Sequence, residues 1–135
     1  MNRRTFLMTT AAAALIPGLA AAAQHYTPGL VDTLLAEGKT VFIDFKTDWC
    51  TTCAAQERVI GGLLSNNAAY SENIAFVNVN WDHYADDELS LRLRIPRRST
   101  LVVLKGDAEL GRVVAGTSMS QIKDLMDTAL AAATA

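Results

Sequence analysis

The sequence predicts a three-layer α/β/α fold, in which a small mixed central sheet carries helices on both faces. Apolar strand-like runs alternate with helical patterns, and this order is typical of a sheet covered on both sides. A helix-length segment separates the first two strand-like runs, so these strands should pair in parallel through a right-handed crossover. Only a Lys-Gly-Asp turn at residues 105–107 separates the last two, which predicts an antiparallel hairpin.

Residues 1–23 resemble an export leader rather than part of the fold. Arg3 and Arg4 form a twin-arginine pair, an uncharged stretch follows, and residues 21–23 are alanines suited to signal-peptidase cleavage. The arginine pair resembles a Tat-type signal peptide, an address that a receptor recognises. We therefore expect residues 24–135 to form one mature domain in the periplasm. The alternative is an uncleaved leader that tethers the domain to the membrane.

The mature domain is predicted to be small and mildly acidic. The leader holds two of the 12 basic residues and none of the 14 acidic ones, which leaves ten bases against 14 acids. The resulting formal charge of −4 disfavours nucleic acid as a partner, because nucleic acid requires a basic face. The length fits one domain with one modest core, and we expect a monomer.

The mature chain should begin with a helix and a central strand. Thr27 can cap the helix with Pro28 at its first position, and Gly38 ends it. The apolar side chains between residues 30 and 35 share one helical face. The following run over Thr40–Phe45 is almost continuously apolar, as in a central strand that is buried on both faces.

A second helix is expected over residues 50–64, although two glycines near its end weaken the pattern. A second strand covers residues 73–79. The polar and aromatic loop at residues 80–84 follows it, at the end of the sheet where ligands tend to bind. Acids at residues 86–88 open a short third helix, which Pro96 ends.

The last part of the chain should contain the hairpin and a final helix. Residues 100–104 and 111–115 form the two strands of the hairpin. Ser118 or Ser120 caps the final helix, whose apolar side chains recur on one face.

The only two cysteines, Cys50 and Cys53, have a Cys-x-x-Cys spacing between the first strand and the second helix. A disulfide that closes so short a loop constrains the unfolded chain little, which disfavours a purely structural bridge. At a helix N-terminus, free N–H groups and the helix dipole lower the pKa of a thiol. We therefore predict that Cys50 is the nucleophile and that Cys53 resolves the mixed disulfide.

Asp44 is an ionisable residue inside an otherwise apolar strand. Burial without a partner should raise the pKa of its carboxyl group, which would suit Asp44 to accept the proton of Cys53. In the alternative interpretation, Asp44 is solvated at the strand end or paired with Lys46.

Together these residues resemble the thioredoxin family over roughly residues 30–131, judged by pattern. Residues 42–53 are similar to the family's strand that ends in a buried Asp and leads to Trp-Cys-x-x-Cys at a helix start. With Glu57-Arg58 after it, the Asp-Trp-Cys-x-x-Cys form is most similar to the C-terminal periplasmic domain of the transmembrane thiol:disulfide interchange reductase. The resemblance implies a thioredoxin-like fold, and it supports the role of Asp44 as a proton acceptor.

The dipeptide Ile95-Pro96, before an apolar strand, resembles the family's cis-proline region. If Pro96 is cis, it would place a backbone edge beside Cys50, where a substrate strand can pair. This sequence departs from the family because residues 97–99 separate the proline from the strand. The alternative is a trans-proline that only ends a helix.

Two kinds of side chain near the cysteines are predicted to contact substrate or tune the thiol. Trp49 would cover the site and offer a flat surface to substrate, or else be an ordinary core or rim aromatic. Arg97, with Arg98, would stabilise the Cys50 thiolate or favour an acidic partner. The alternative for both arginines is a pair of solvated loop charges.

We therefore expect a periplasmic thiol–disulfide oxidoreductase that reduces protein disulfides or relays electrons. The redox-active disulfide between Cys50 and Cys53 would be its only redox group, with no further cofactor and no metal. Protein thiols and disulfides are the expected partners, with a membrane thiol:disulfide reductase as a possible electron donor. A disulfide-forming oxidant is a variant of this function, distinguished by how strongly the Cys50 thiolate is stabilised.

Two other classes of function stay open at this point. The two cysteines could hold a soft metal such as Cu(I) in a copper-binding or delivery module. A closed zinc site would need further ligands, for which only His25 and His83 are available. A redox-silent chaperone would use the same fold only to bind partners.

Overall fold

The computed structural model of the protein describes residues 23–135, so the predicted signal peptide lies outside the described residues except for Ala23. The strands are β1 (Gln24–His25), β2 (Thr40–Lys46), β3 (Ile74–Asn80), β4 (Thr100–Lys105) and β5 (Ala108–Val114). The helices are α1 (Leu30–Ala36), α2 (Thr51–Asn66), α3 (Ala68–Asn73), α4 (Trp81–Tyr84), α5 (Glu88–Arg92) and α6 (Met119–Ala133). None of these helices is long and apolar enough to cross a membrane.

The strands form one mixed sheet in the order β1-β3-β2-β4-β5. β2 pairs in parallel with β3, as the helix-length connection between them predicts, and β4 and β5 form the predicted antiparallel hairpin. β2 pairs on its other side with β4 in antiparallel orientation, with Asp44 opposite Leu101. The predicted small mixed sheet with helices on both faces is therefore confirmed, with β1 as an additional edge strand.

Both faces of the sheet are covered, because the side chains of β2 alternate between two hydrophobic clusters. Val41, Ile43 and Phe45 pack in the cluster beneath α1, α4 and α5. Phe42 packs in the other cluster, with side chains from α2, α3 and α6. Asp44 has the same parity as Phe42, so it lies on the face that α2 covers.

Several local elements differ from the sequence prediction. The sequence pattern did not predict α3, which is capped by the Asn67 side chain and anchored by Tyr70, buried in the second cluster. The predicted loop at residues 80–84 contains the short helix α4, because the Asn80 side chain accepts the N–H of Asp82. Both helices are too short for periodicity to reveal them, since a single side-chain cap defines each start.

The helix ends also refine the prediction. Gly29, with φ of 91°, precedes α1, so Thr27 does not cap it. The two glycines inside α2 do not end that helix, which continues to Asn66. Of the two candidate serines, Ser118 caps α6 by accepting the N–H of Gln121 at 3.2 Å.

Candidate active site

The two thiols lie at the junction between β2 and α2. Cys50 is the N-cap of α2, and its Sγ accepts the backbone N–H of Cys53 at 3.1 Å. Both cysteines are free thiols and both are buried, with 4% of Cys50 and 1% of Cys53 exposed. The helix begins one residue later than predicted, and this difference turns the Cys50 sulfur into the capping group itself.

Ser99 contacts both sulfur atoms. Its Oγ lies 3.2 Å from the Sγ of Cys50 and 3.0 Å from the Sγ of Cys53. Ser99 is fully buried and directly precedes β4. The sequence reasoning named this residue only as part of the segment between Pro96 and the strand. That three-residue insertion was the one signal that pointed to it.

The backbone of Ser99 is held in the left-handed region, at φ of 64°, which is uncommon for a residue other than glycine. Its N–H donates to the carbonyl of Phe45 at 2.7 Å, and its carbonyl accepts the N–H of Ala115 at 2.8 Å. The fully buried Gln56 of α2 donates from Nε2 to the carbonyls of Ser99 and Gly116. Gln56 thus ties the cysteine helix to the Ser99 loop, a role that sequence reasoning missed.

The pKa values of the two thiols move in opposite directions. Burial alone would raise the pKa of Cys50, but hydrogen bonds from the Cys53 thiol, the Ser99 hydroxyl and the Cys53 N–H lower it to about 7. Burial and the hydrogen bond to Cys50 raise the pKa of Cys53. At neutral pH, therefore, Cys50 supplies the thiolate and Cys53 keeps its proton.

Asp44 is buried in β2, with 5% of its surface exposed. Burial, followed by the negative charge of Glu57, raises the pKa of its carboxyl group to about 7, against the opposing effect of Lys46. Lys46 forms its ion pair with Glu57 rather than with Asp44. Among the described residues, the Oδ1 of Asp44 has no hydrogen-bond partner. The solvated or paired interpretation of Asp44 is therefore wrong.

A cavity of about 420 Å³ borders Asp44 on the α2 face of the sheet. Its other lining residues include Phe42 and Phe76 from the strands and Glu57 and Ile60 from α2. The carboxyl group therefore lies at the boundary between the packed core and this cavity.

Trp49 is an exposed platform beside the cysteines, with 61% of its surface accessible. Its indole Nε1 donates to the carboxylate of Asp82 at 2.9 Å, and the guanidinium carbon of Arg98 lies 4.2 Å from its ring centroid. Trp49 is therefore not a core aromatic. Two charged neighbours fix its ring at the exposed rim of the site, and its contact with substrate stays a prediction.

The structure corrects the expectation for Pro96. Every peptide bond within residues 23–135 is trans, so Pro96 is not a cis-proline. Pro96 is exposed, and the residue that precedes β4 and touches both sulfurs is Ser99. The physical reason is the insertion of residues 97–99, which moves the proline away from the start of the strand.

The two arginines of this loop have different surroundings. Arg97 is exposed, and its Nε donates to the carbonyl of Arg98 at 2.9 Å. Arg98 is half-buried against Trp49, and it contributes to the lowered pKa of Cys50 after the larger effects of Cys53 and Ser99. Of the two arginines predicted to stabilise the Cys50 thiolate, Arg98 is thus the one that lowers the pKa of Cys50.

Within residues 23–135, no three side chains of the His, Cys, Asp and Glu types come together as possible metal ligands. His25 and His83 are both exposed. The thiols of Cys50 and Cys53 are the thiolate donors that this part of the chain offers to a soft metal.

Comparisons with known proteins point to one family. A family model described as thioredoxin-like matches residues 21–104. Thioredoxin-T of Drosophila melanogaster is 30% identical over 95 residues, which are 70% of this chain and 56% of that protein. The chain therefore spans just over half the length of this curated relative.

Solved structures show the same fold. Trxlp from Edwardsiella tarda superposes with a TM-score of 0.67 at 26% identity, over 78% of this chain and 98% of that one. A thioredoxin from Malassezia sympodialis superposes with a TM-score of 0.67 at 21% identity, over 80% of this chain and 93% of that one.

Proposed function

The chain belongs to the thioredoxin-like family, and we propose that it is a thiol–disulfide oxidoreductase of the protein-disulfide reductase type. The observation that carries this proposal is the pair of reduced thiols at the start of α2, in which the pKa of Cys50 is lowered to about 7. A thiol with a pKa near ambient pH combines a useful thiolate fraction with strong nucleophilicity.

The reaction starts at Cys50. Its thiolate attacks one sulfur of a substrate disulfide, a mixed disulfide forms, and the first substrate sulfur leaves as a thiolate that takes up a proton. Cys53 then attacks the Cys50 sulfur, and the second substrate sulfur leaves in the same way. Two electrons pass to the substrate, which becomes a dithiol, while Cys50 and Cys53 become a disulfide.

Asp44 accepts the proton that Cys53 must lose before it attacks. The raised pKa of this carboxyl group, which burial and Glu57 bring to about 7, supports the role. An acceptor with a pKa near the working pH can both take and release a proton. Burial also keeps Asp44 from being permanently ionised, which would repel the forming Cys53 thiolate.

The substrate approaches over Trp49 and Arg98. The exposed indole provides an apolar contact, and the guanidinium above it provides positive charge near the reacting sulfur. Protein disulfides are suited to this open surface, because a flexible segment can lie across the ring while its disulfide reaches the buried thiol.

In this proposal, electrons flow from the dithiol of Cys50 and Cys53 to the substrate disulfide, which is reduced. Strong disulfide-forming oxidants stabilise their thiolate much further, to pKa values as low as about 3.5. The pKa of Cys50 is lowered only to about 7, so its thiolate is less stabilised than that of a strong oxidant. This supports a role as a reductant or an electron carrier.

The site of action in this proposal is the periplasm, with a membrane thiol:disulfide reductase as the electron donor. The twin arginines at residues 3 and 4 and the alanines at residues 21–23 support export. The Asp-Trp-Cys-x-x-Cys resemblance described above supports the choice of donor.

Reduction of insulin by dithiothreitol tests the proposed activity. We expect the wild type to accelerate insulin precipitation, and Cys50→Ser to return the rate to the uncatalysed background, because the attacking thiolate is gone. Met119→Ala, on the exposed start of α6, is the control and should keep full activity. An inactive wild type would contradict the proposal, and so would an active Cys50→Ser variant.

A further inference from the structure

The Ser99 hydroxyl is the one side-chain group outside the dithiol that lies within hydrogen-bond distance of both sulfurs, among the described residues. We propose that Ser99 is a further catalytic residue, whose hydroxyl hydrogen bonds first to the Cys50 thiolate and then to the Cys53 thiolate. This inference rests on the proposed thiol–disulfide exchange and names a group that serves both of its steps.

The hydroxyl suits this role because it has one hydrogen and two lone pairs. In the reduced protein, the Ser99 hydroxyl and the Cys53 thiol both donate to the Cys50 thiolate. The Ser99 Oγ lies 3.2 Å from the Cys50 sulfur and 3.0 Å from the Cys53 sulfur, so its hydrogen can turn from one sulfur to the other without movement of the oxygen. A hydrogen bond to a charged acceptor is about twice as strong as one between neutral groups, so the thiolate form of Cys50 is favoured.

The mixed disulfide changes which sulfur carries charge. Once Cys50 is bonded to the substrate, its sulfur no longer requires a strong donor. The Cys53 thiol gives its proton to Asp44, and the Ser99 hydroxyl turns its hydrogen to the new Cys53 thiolate. Ser99 keeps its own proton throughout, so the electron and proton balance of the reaction is unchanged.

The surroundings hold the hydroxyl in place for both steps. The left-handed backbone of Ser99 persists because its N–H donates to the carbonyl of Phe45 and its carbonyl accepts from Ala115 and Gln56. The side chain is fully buried, so water does not compete for its hydrogen. Its Oγ can therefore respond to the charge on the sulfurs by rotation of the hydroxyl alone.

The test uses Ser99→Ala and Ser99→Gly in the full-length mature protein. Both remove the hydroxyl, but only glycine also relieves the left-handed backbone. An effect of the hydroxyl is therefore common to both variants, whereas an effect of loop strain differs between them. Ser90→Ala is the control, because Ser90 is also a buried serine, with its hydroxyl bonded to the carbonyl of Tyr84 at 2.7 Å.

The first measurement is titration of the Cys50 thiolate by its ultraviolet absorbance, without any substrate. We expect both Ser99 variants to titrate at higher pH than the wild type, with about tenfold less thiolate at a pH below both titration midpoints. The Ser90→Ala variant should titrate as the wild type does. Folded Ser99 variants with an unchanged titration would overturn the proposal.

The second measurement is single-turnover reaction with a small aromatic disulfide, followed by stopped flow. We expect attack by Cys50, at a pH below both titration midpoints, and resolution by Cys53 each to slow by a few-fold, because each thiolate loses one charged hydrogen bond and the weaker stabilisation only partly returns as nucleophilicity. Slower attack with unchanged resolution would overturn the alternation between sulfurs. Neither measurement requires insulin reduction, so failure of the proposed function would be seen separately in the insulin assay.

Discussion

At the scale of single residues, the most informative group is the carboxyl of Asp44. It is an acid placed in the central strand between apolar neighbours, and its Oδ1 has no hydrogen-bond partner within residues 23–135. Such a group costs stability when it is charged, since its carboxylate has lost water without gaining a partner. This loss of stability is consistent with a catalytic role in which the carboxyl group of Asp44 exchanges a proton.

The cost predicts how stability depends on pH. Burial, then Glu57, raises the pKa of Asp44 from 3.8 to about 7, so the folded protein binds the proton more tightly than the unfolded chain between these values. The contribution of Asp44 to the free energy of unfolding therefore falls as pH rises from about 4 to about 7. The shift corresponds to at most about 4 kcal/mol at pH values above both.

We accordingly expect Asp44→Asn to be more stable than the wild type at pH 8 by up to about 4 kcal/mol, and close to it at pH 4. Urea unfolding of the reduced proteins measures both differences. The same variant should resolve the mixed disulfide more slowly in stopped flow, because Cys53 loses its proton acceptor. Asp48→Asn, at an exposed acid nearby, is the matched control and should change neither quantity.

A stability difference that does not change between pH 4 and pH 8 would show that Asp44 is not a costly buried acid. Unchanged rates of resolution, with the predicted pH effect present, would instead remove its catalytic role alone.

At the scale of elements, α2 determines the geometry of the site. Its N-cap is the Cys50 sulfur, its first turn contains Cys53, and Gln56 fastens it to the Ser99 loop. The chemistry is thus concentrated in the first two turns. The later part of the helix contains Gly61 and Gly62, which have a low helix propensity.

Replacement of glycine by alanine should have opposite effects on stability at Gly61, inside α2, and at Gly38, in the turn after α1. A Cβ added at Gly61 or at Gly38 meets nothing within 4 Å. Gly61 is inside a helix, so Gly61→Ala should raise the free energy of unfolding by about 0.5–1 kcal/mol. Gly38 has φ of 81°, so Gly38→Ala should lower it by about 1–2 kcal/mol.

Chemical denaturation of the two variants beside the wild type measures these effects, and titration of Cys50 checks that the site is unchanged. A destabilised Gly61→Ala variant would mean that α2 needs its glycine, for example to keep the cavity beside Asp44 open.

At the scale of the whole molecule, the site depends on a sheet that is packed on both faces. Side chains of β2 enter both hydrophobic clusters, so the strand that leads to the cysteines is held from two sides. α6 contributes to the second cluster without contributing to the contacts of the thiols described above. A substitution in α6 should therefore change the free energy of unfolding without changing the titration of Cys50.

We expect Met126→Ala to lose about 2–5 kcal/mol of unfolding free energy, because Met126 is fully buried in α6 and leaves a cavity. The Cys50 titration of the folded variant should stay as in the wild type. Met119→Ala in the same helix should change stability by less than about 0.5 kcal/mol, since 52% of Met119 is exposed. Equal losses in the two variants would show that α6 does not pack as described.

The sequence correctly predicted the elements whose signal lies in neighbouring residues, and it missed elements that depend on distant contacts or on single caps. The central strand, the cysteine helix and the final hairpin were correct, because each has a local apolar pattern or turn. β1 has only two residues and exists through its pairing with Val77 and Asn78, so no periodicity could show it. The helices α3 and α4 were missed for a similar reason, because side-chain caps and burial define them.

The sequence by itself determined the fold class, the position of Cys50 and Cys53 at a strand-to-helix junction, and the placement of Asp44 in a buried strand. These are properties of neighbouring residues, and chain order is enough to reveal them. Only the tertiary structure decided that Ser99, and not Pro96, meets the two sulfurs, and that Arg98, and not Arg97, lies on Trp49. The reason is that these contacts join residues about fifty positions apart, whose distance depends on how β2 and β4 align in the sheet.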